Sequence, residues 1–484
     1  MRKIVLLVAS TALAVLMCYV ATGHGPTRAQ EPPPAKPNFV FILTDDMRKD
    51  DLKYMPKTRA LLGNKGMRFE KAFVSLATCC PSRATIMRGQ YAHNHGVWFT
   101  KDTPDGGWQG YKNLGNEEDN IATRLHDAGY RTALIGKYLN FYDDPTTVPP
   151  GWDKWFAMLE VGATSTTDPQ RYFDYYVNVN GTTRHFGTSE SDYSTDVFRR
   201  QTRTFIDASL AQGKPFFAYV APSAPHDIGP HEPPIPAPRH EHAFDGEQAP
   251  RLRSFNEQDV SDKPPHIKSL PLLTDAKIAE IDAFHEGRIE SLQAVDELVQ
   301  AVVGKLQAVG ALENTYVVFT SDNGFHHGEH RIPQGKTQPY EESIHMPLLI
   351  RGPGVQAGTS TNKLTLNTDF FPTFTDLAGV TTPEYVDGRS LRPILEGTAT
   401  PWRSAILLEQ KKDPTASFSG IRTSDARKYI EYQDGFKELY ELKSDPYELN
   451  NSYEAAAPPE GLPTRLQALK GCAGTTCRVA EGGQ

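Results

Sequence analysis

Short apolar runs that alternate with helical stretches constrain this chain more than any other feature of its sequence. Asn38–Leu43 (NFVFIL), Thr132–Ile135 (TALI), Phe216–Ala221 (FFAYVA), Thr315–Thr320 (TYVVFT) and Pro347–Ile350 (PLLI) are nearly continuous in apolar residues. That is the pattern of strands covered on both faces. Between them, Glu117–Ala128 and Tyr193–Leu210 read as helices. Ala276–Val309 is the clearest helix, because Leu292, Val295, Val299, Val302 and Leu306 repeat at a 3-4 spacing. Strands alternating with helices predict an α/β fold, a mostly parallel central sheet sandwiched by helices. The expected catalytic domain spans 38–379. After Gly379 the texture changes. Ala405–Glu409, Gly420–Thr423, Lys428–Tyr432 and Glu438–Leu442 are short strand candidates separated by turns. They predict a smaller C-terminal subdomain over 380–484, an antiparallel sheet plus helix.

The N-terminus reads as an export signal. Arg2 and Lys3 precede the apolar stretch Ile4–Val20, a small-x-small site follows at Thr27-Arg28-Ala29, and Glu31–Pro37 is rich in proline. This three-part form predicts a signal peptide over 1–29 and a spacer over 30–37. The rival is an uncleaved anchor, since about 17 apolar residues just span a bilayer. No later stretch is long and apolar enough to cross one, so no stable membrane insertion is expected after signal removal. The expected location is secreted, periplasmic or extracellular. The 484 residues carry a net charge of −8. No run of Lys and Arg stands out, which argues against nucleic acid as a partner. An anionic substrate must therefore be met by a local cluster of cations.

Cysteine use supports export. Cys18 leaves with the signal, and Cys472 and Cys477 in GCAGTTC can form a small-loop disulfide. Cys79 and Cys80 are adjacent, and adjacent cysteines seldom pair because the ring is strained. This pair needs another explanation.

Ligands of parallel α/β sheets bind beyond the carboxyl ends of the strands. Asp45-Asp46 follow the first run, Gly136-Lys137 the second, Pro222, Pro225 and His226 the third, and Ser321-Asp322-Asn323-Gly324 the fourth. Each alone reads as a helix cap, a turn or a solvated charge. Together they predict a site. Asp45, Asp46, Asp322 and Asn323 offer only oxygen ligands, which suits a hard divalent cation better than zinc. His226–Pro271, rich in proline and charge, reads as a long surface loop.

The segment TCCPSRATIMRG (78–89) places Pro81 in the first turn of a helix, with cysteine near its N-terminus. Cys79-Cys80-Pro81-Ser82-Arg83 resembles the C-x-P-S-R signature of type I sulfatases, members of the alkaline phosphatase superfamily. The resemblance continues through Gly136-Lys137, Ala224-Pro225-His226, Ser321-Asp322-Asn323-Gly324, Gly335-Lys336 and Glu438-Leu439-Tyr440. It covers nearly all of the expected mature chain. The strings TCCPSR, YAHNHGV, GKYLNFY and SDNGFHHGEH are most similar to N-acetylglucosamine-6-sulfatases and heparan-type sulfatases.

The resemblance implies hydrolysis of a sulfate ester, arylsulfatase-type, with a sulfated small molecule or sulfated saccharide as substrate. It implies that a maturation enzyme oxidises Cys79 to formylglycine (3-oxoalanine). The implied metal ligands are Asp45, Asp46, residue 79, Asp322 and Asn323, holding calcium, with magnesium as the alternative. Arg83, Lys137, Lys336 and His226 would complete the catalytic set. One departure stands out: where many members carry histidine two residues after the strand-end lysine, this chain has Leu139. His95, Asn140 and above all His326 are candidates for the missing base, whereas His285 on the long helix reads as structural. Two other readings use the same residues: a phosphate or phosphonate ester hydrolase, and a non-catalytic carbohydrate-binding member. An exported thiol enzyme is a third, but it leaves the acidic residues unexplained.

Overall fold

The computed structural model describes residues 36–160, 171–229, 232–398, 401–456 and 458–483. The expected signal peptide and most of the spacer lie outside the described residues. The strands, in chain order, are β1 (Asn38–Thr44), β2 (Met67–Phe69), β3 (Ala72–Phe73), β4 (Arg131–Gly136), β5 (Lys154–Met158), β6 (Tyr175–Val179), β7 (Thr182–Phe186) and β8 (Phe216–Ala221). They continue with β9 (Thr315–Ser321), β10 (Leu348–Arg351), β11 (Thr359–Thr361), β12 (Thr365–Leu366), β13 (Ala405–Gln410), β14 (Phe418–Thr423), β15 (Arg427–Tyr432) and β16 (Lys437–Glu441).

Ten strands form one sheet in the order β11-β2-β10-β9-β1-β8-β4-β5-β6-β7. The five central strands, β9 to β5, are parallel, and β10 and β6 join them antiparallel at either side. β1, β8 and β9 are buried along their whole length, which is why they read as apolar runs. Two cores cover the two faces. One gathers Phe39, Phe41, Tyr219 and Phe374, and the other gathers Val40, Ile42, Val220 and the apolar stripe of the Asp275–Ala308 helix. That helix begins one residue before its predicted start, with Thr274 accepting from the Lys277 N–H as its cap.

The second sheet is the antiparallel meander β13-β14-β15-β16. The Leu462–Lys470 helix packs against it through Leu462, Leu466 and Leu469. Cys472 and Cys477 are joined in a disulfide, and Cys79 and Cys80 are free. No described helix is long and apolar enough to cross a membrane.

Candidate active site

The parallel core brings four strand ends to one edge. In the register of β1 with β9, Thr44 lies opposite Ser321, so Asp45-Asp46 and Asp322-Asn323 leave the sheet side by side. β8 and β4 continue the same edge, with Gly136 opposite Ala221, and Lys137 follows directly. Gly136 has φ 115°, and a Cβ there would lie 2.1 Å from the Ala221 carbonyl oxygen. Only glycine lets the chain turn here and deliver Lys137. Asp46 has φ 69°, a left-handed conformation that aspartate tolerates better than most residues. This turn lets its N–H donate to Asp322 Oδ1 at 3.0 Å.

Cys79 opens the Cys79–Arg88 helix after the extended Thr78, and the helix closes at the left-handed Gly89. Cys79 Sγ lies 3.2 Å from Asp45 Oδ1 and 3.5 Å from Asp46 Oδ1. Lys336 Nζ donates to Asp46 Oδ1 and lies 2.7 Å from the sulfur. Lys137 Nζ donates to Asp45 Oδ2 at 2.5 Å. Arg83 Nε donates to Asp322 Oδ2 at 2.8 Å, and its Nη1 to the Lys137 carbonyl at 3.0 Å. His226 Nδ1 is held 2.8 Å from Asp227 Oδ1, leaving Nε2 3.7 Å from Asp46 Oδ2. Ser82 donates to the Asp322 carbonyl at 2.5 Å and so ties the helix to β9.

The electrostatics follow from burial opposed by charge. Burial alone would raise Asp45, but Lys137, His226, Arg83 and Lys336 outweigh it and hold the carboxyl well below the usual range. Asp46 is likewise held at about 2 against burial, chiefly by Lys336 and His226. Burial pushes the Cys79 thiol well above its ordinary value, and Asp45 and Asp46 add to the effect. An anionic sulfur is poorly placed between two carboxylates. Burial disfavours the charged His226, but Asp227 and Asp45 reverse this and raise it.

A hard cation fits these residues. One ligand atom each from Asp45, Asp46, Cys79 and His226 lies within 4.8 Å of the others. Asp322 is not in that group, and its two oxygens accept from Arg83 Nε and the Asp46 N–H. Asn323 Nδ2 donates to Asp46 Oδ1 at 2.7 Å, while its Oδ1 is buried and, among the described residues, accepts no hydrogen bond. A buried amide oxygen without a partner beside three carboxylates is a spare donor of the kind calcium or magnesium takes.

Asp45, Asp46, Cys79, Arg83, Lys137, His226, Asp322, Asn323 and Lys336 thus come together. His326 does not join them. The chain after Asn323 bonds to the 340–344 segment, through Gly324 N–H to Ser343 and Phe325 N–H to Glu342. His326 is therefore buried beside His330 and Tyr340, with ring centroids 6.4 and 6.2 Å away; its backbone N–H donates to the Gly335 carbonyl at 2.7 Å, and neither ring nitrogen is hydrogen-bonded among the described residues. Its expected role as base has no geometric support. His95 is engaged by Thr85 Oγ1 and the Val97 N–H, and the Asn140 carbonyl accepts from the Trp108 N–H at 2.8 Å. Leu139 is a core residue. His285 lies against Tyr54 and His327, a structural position.

Several neighbours of the site carry little sequence signal. Arg288, on the long helix, donates to the Asp46 carbonyl at 2.5 Å and the Pro225 carbonyl at 3.0 Å, clasping two strand-end loops. Arg171 pairs with Glu160 at 3.2 Å, and its charge reaches both Lys137 and His226. An arginine in a helix or loop ordinarily reads as a surface charge. Asp227 was the accessible one, since it adjoins His226.

Comparison with known proteins gives a consistent result. The sulfatase family model matches residues 37–380, and the model of the N-sulphoglucosamine sulphohydrolase C-terminal region matches 328–467. Human N-acetylglucosamine-6-sulfatase is 34% identical, over 92% of this chain and 86% of its own length. An arylsulfatase of Chlamydomonas reinhardtii is 34% identical over 91% of this chain and 75% of its own. A putative extracellular sulfatase Sulf-1 homolog of Caenorhabditis elegans is 35% identical over 78% of this chain and 53% of its own. A protein solved in complex with its substrate D-glucosamine-2-N,6-O-disulfate superposes with a TM-score of 0.74 and 26% identity, covering 92% of this chain and 98% of that one.

Proposed function

The chain belongs to the sulfatase family, and from that premise we propose that it hydrolyses a sulfate ester on a saccharide, with Cys79 matured to formylglycine and a calcium ion beside it. The observation that carries this reading is Cys79 Sγ standing within 3.5 Å of Asp45, Asp46 and Lys336. In this structure the sulfur stands in for the hydroxyls of a hydrated aldehyde. That diol would supply one hydroxyl to attack sulfur and a second whose collapse releases sulfate, while the cation would supply positive charge to both.

The remaining work falls to the chain's own residues. Asp45, Asp46, Asp322 and Asn323 would hold the cation. With Leu139 apolar, side chain 79 is positioned instead by Lys336 Nζ and Asp45 Oδ1, 2.7 and 3.2 Å from the sulfur. Lys137 and Lys336 fix the sulfate oxygens without reorganising during reaction. His226, oriented by Asp227 and favoured in its charged form, protonates the departing sugar oxygen from Nε2. Arg83 binds Asp322 and holds the acidic cluster together. The Caenorhabditis elegans relative, named as a putative extracellular sulfatase, supports export of the chain.

The test is the mass of the peptide containing Cys79, from protein secreted by cells with a maturation enzyme, together with turnover of glucosamine 6-sulfate and of a phosphate monoester. An aldehyde at position 79 with turnover of the sulfate ester supports the proposal. An unmodified thiol in an active enzyme would sink it, and preference for the phosphate ester would favour the phosphohydrolase reading.

A further inference from the structure

Glu438-Leu439-Tyr440 stands out in the sequence but supplies no group to the site described above. Glu438 lies on β16, and its side chain is fully buried. Its Oε1 accepts from the Tyr340 and Tyr440 hydroxyls at 3.0 and 2.6 Å, and its Oε2 from the Tyr432 hydroxyl at 2.8 Å. Three hydroxyls on one buried carboxylate make a rigid junction. Tyr340 carries that junction towards the site, because it lies four residues after Lys336.

A second junction stands beside it. Lys428 on β15 is also fully buried and donates to the Pro339 carbonyl at 2.8 Å. Its ammonium pairs with Glu341 at 2.9 Å and Glu448 at 2.7 Å. Glu448 in turn accepts from the Glu341 N–H at 2.8 Å. Arg422 on β14 grips the Glu341 carboxylate through two nitrogens, at 2.9 and 3.0 Å. Each residue from Pro339 to Glu341 is thus tied to the C-terminal sheet or to the segment after it.

Between these ties and Lys336 sits a strained residue. Thr337 has φ 80°. A β-branched side chain seldom takes a positive φ, and it persists there only where its surroundings over-determine it. On the near side, the Gly335 carbonyl accepts from the His326 N–H at 2.7 Å, and the Thr337 N–H donates to the Ala77 carbonyl at 3.1 Å. On the far side stand the two junctions. Freed of them, Thr337 would relax and carry Lys336 away from the Cys79 sulfur, now 2.7 Å from its ammonium. We propose that Glu438 and Lys428 are positioning residues for Lys336, holding its loop from behind and so fixing where its ammonium meets the reacting group. They act on the reaction through Lys336, without touching substrate. This rests on the sulfatase reading above, in which Lys336 holds a sulfate oxygen.

The experiment is a double-mutant cycle on protein with a verified aldehyde at position 79. Glu438→Ala is expected to lower kcat/KM for glucosamine 6-sulfate about tenfold, and Glu438→Gln, which can still accept from Tyr340, by less than about threefold. In a Lys336→Ala background, Glu438→Ala should cost less than about twofold, because the lysine it places is already gone. A merely structural role gives the same loss in both backgrounds, and that result would overturn the proposal. So would a loss in Glu438→Gln equal to that in Glu438→Ala. If Glu438→Ala does not fold, Tyr340→Phe, which removes a single hydroxyl, carries the same comparison. Preference for a phosphate monoester would defeat the sulfatase reading but leave the cycle usable, since a lysine serves either anion. Affinity of Cys79→Ala for inorganic sulfate reads the same cycle without turnover. A loss from Glu438→Ala that vanishes in the Lys336→Ala background supports the proposal, and equal losses overturn it.

Discussion

Lys336 Nζ lies 2.7 Å from Cys79 Sγ, across 257 positions of sequence. The lysine arrives on a loop whose Thr337 N–H donates to the Ala77 carbonyl at 3.1 Å, so the backbone itself brings this loop to the start of the Cys79–Arg88 helix. Its ammonium also pairs with Asp46. One cation therefore binds the acidic cluster and the side chain at position 79 at once.

Lys336→Ala is expected to lower kcat/KM for a sulfate ester by about 10²–10³-fold, the usual effect of removing one fixed transition-state charge. Steady-state kinetics on protein with a verified aldehyde at position 79 measures this. A loss below about tenfold would remove Lys336 from the catalytic set.

Cation binding to Asp45, Asp46, Asp322 and Asn323 should appear as stability. Calcium at 100 times its dissociation constant is expected to add about 2.7 kcal/mol to the chelated protein. Thermal unfolding with and without calcium reads the shift, and Asp322→Ala should abolish it. An unchanged melting temperature in the wild type would argue against the ion.

Gly136→Ala tests how Lys137 is delivered. The new Cβ meets the Ala221 carbonyl, so β4 and β8 must separate or Lys137 must move. Activity should fall by about 100-fold, as a displacement of about 1 Å can cause. Gly213 also has positive φ, but a Cβ there meets nothing within 4 Å. Gly213→Ala should leave turnover nearly intact. Equal losses in the two variants would mean that strain alone, and not Lys137, is responsible.

The C-terminal tail should loosen as pH rises. Burial disfavours charge on His93, but Glu409 and the Cys472 carbonyl overcome this and raise it above its ordinary 6.5. A histidine raised on folding contributes stability that is full below 6.5 and is lost as pH climbs through the folded value. Protection of the Cys472–Ala480 amides, measured relative to their intrinsic exchange rates at each pH, should fall over that window in the wild type but stay level in His93→Gln. Parallel profiles would assign the effect to another group.

Legibility in the sequence tracks burial. β1, β8 and β9 are buried on both faces and stand out as apolar runs. β7 is exposed at four of its five residues, so its hairpin with β6 leaves no such mark. PLLI reads as a strand like the others, yet β10 runs antiparallel to β9 and contributes no carboxyl end to the site. The Leu462–Lys470 helix buries only Leu462, Leu466 and Leu469 in a turn-rich stretch, too short a stripe to stand out.

The sequence by itself determined the α/β architecture and the residue types at four strand ends. Both depend on local pattern: which residues are buried, and which polar residues come directly after each buried run. The tertiary structure decided which of those residues meet. Register put Asp45 beside Asp322, a distant loop brought Lys336 to Cys79, and the turn after Asn323 took His326 elsewhere. Arg288 became a clasp on the site only because its helix crosses both strand-end loops. Contacts between remote segments are fixed by how whole elements pack, and periodicity along the chain carries no record of that geometry.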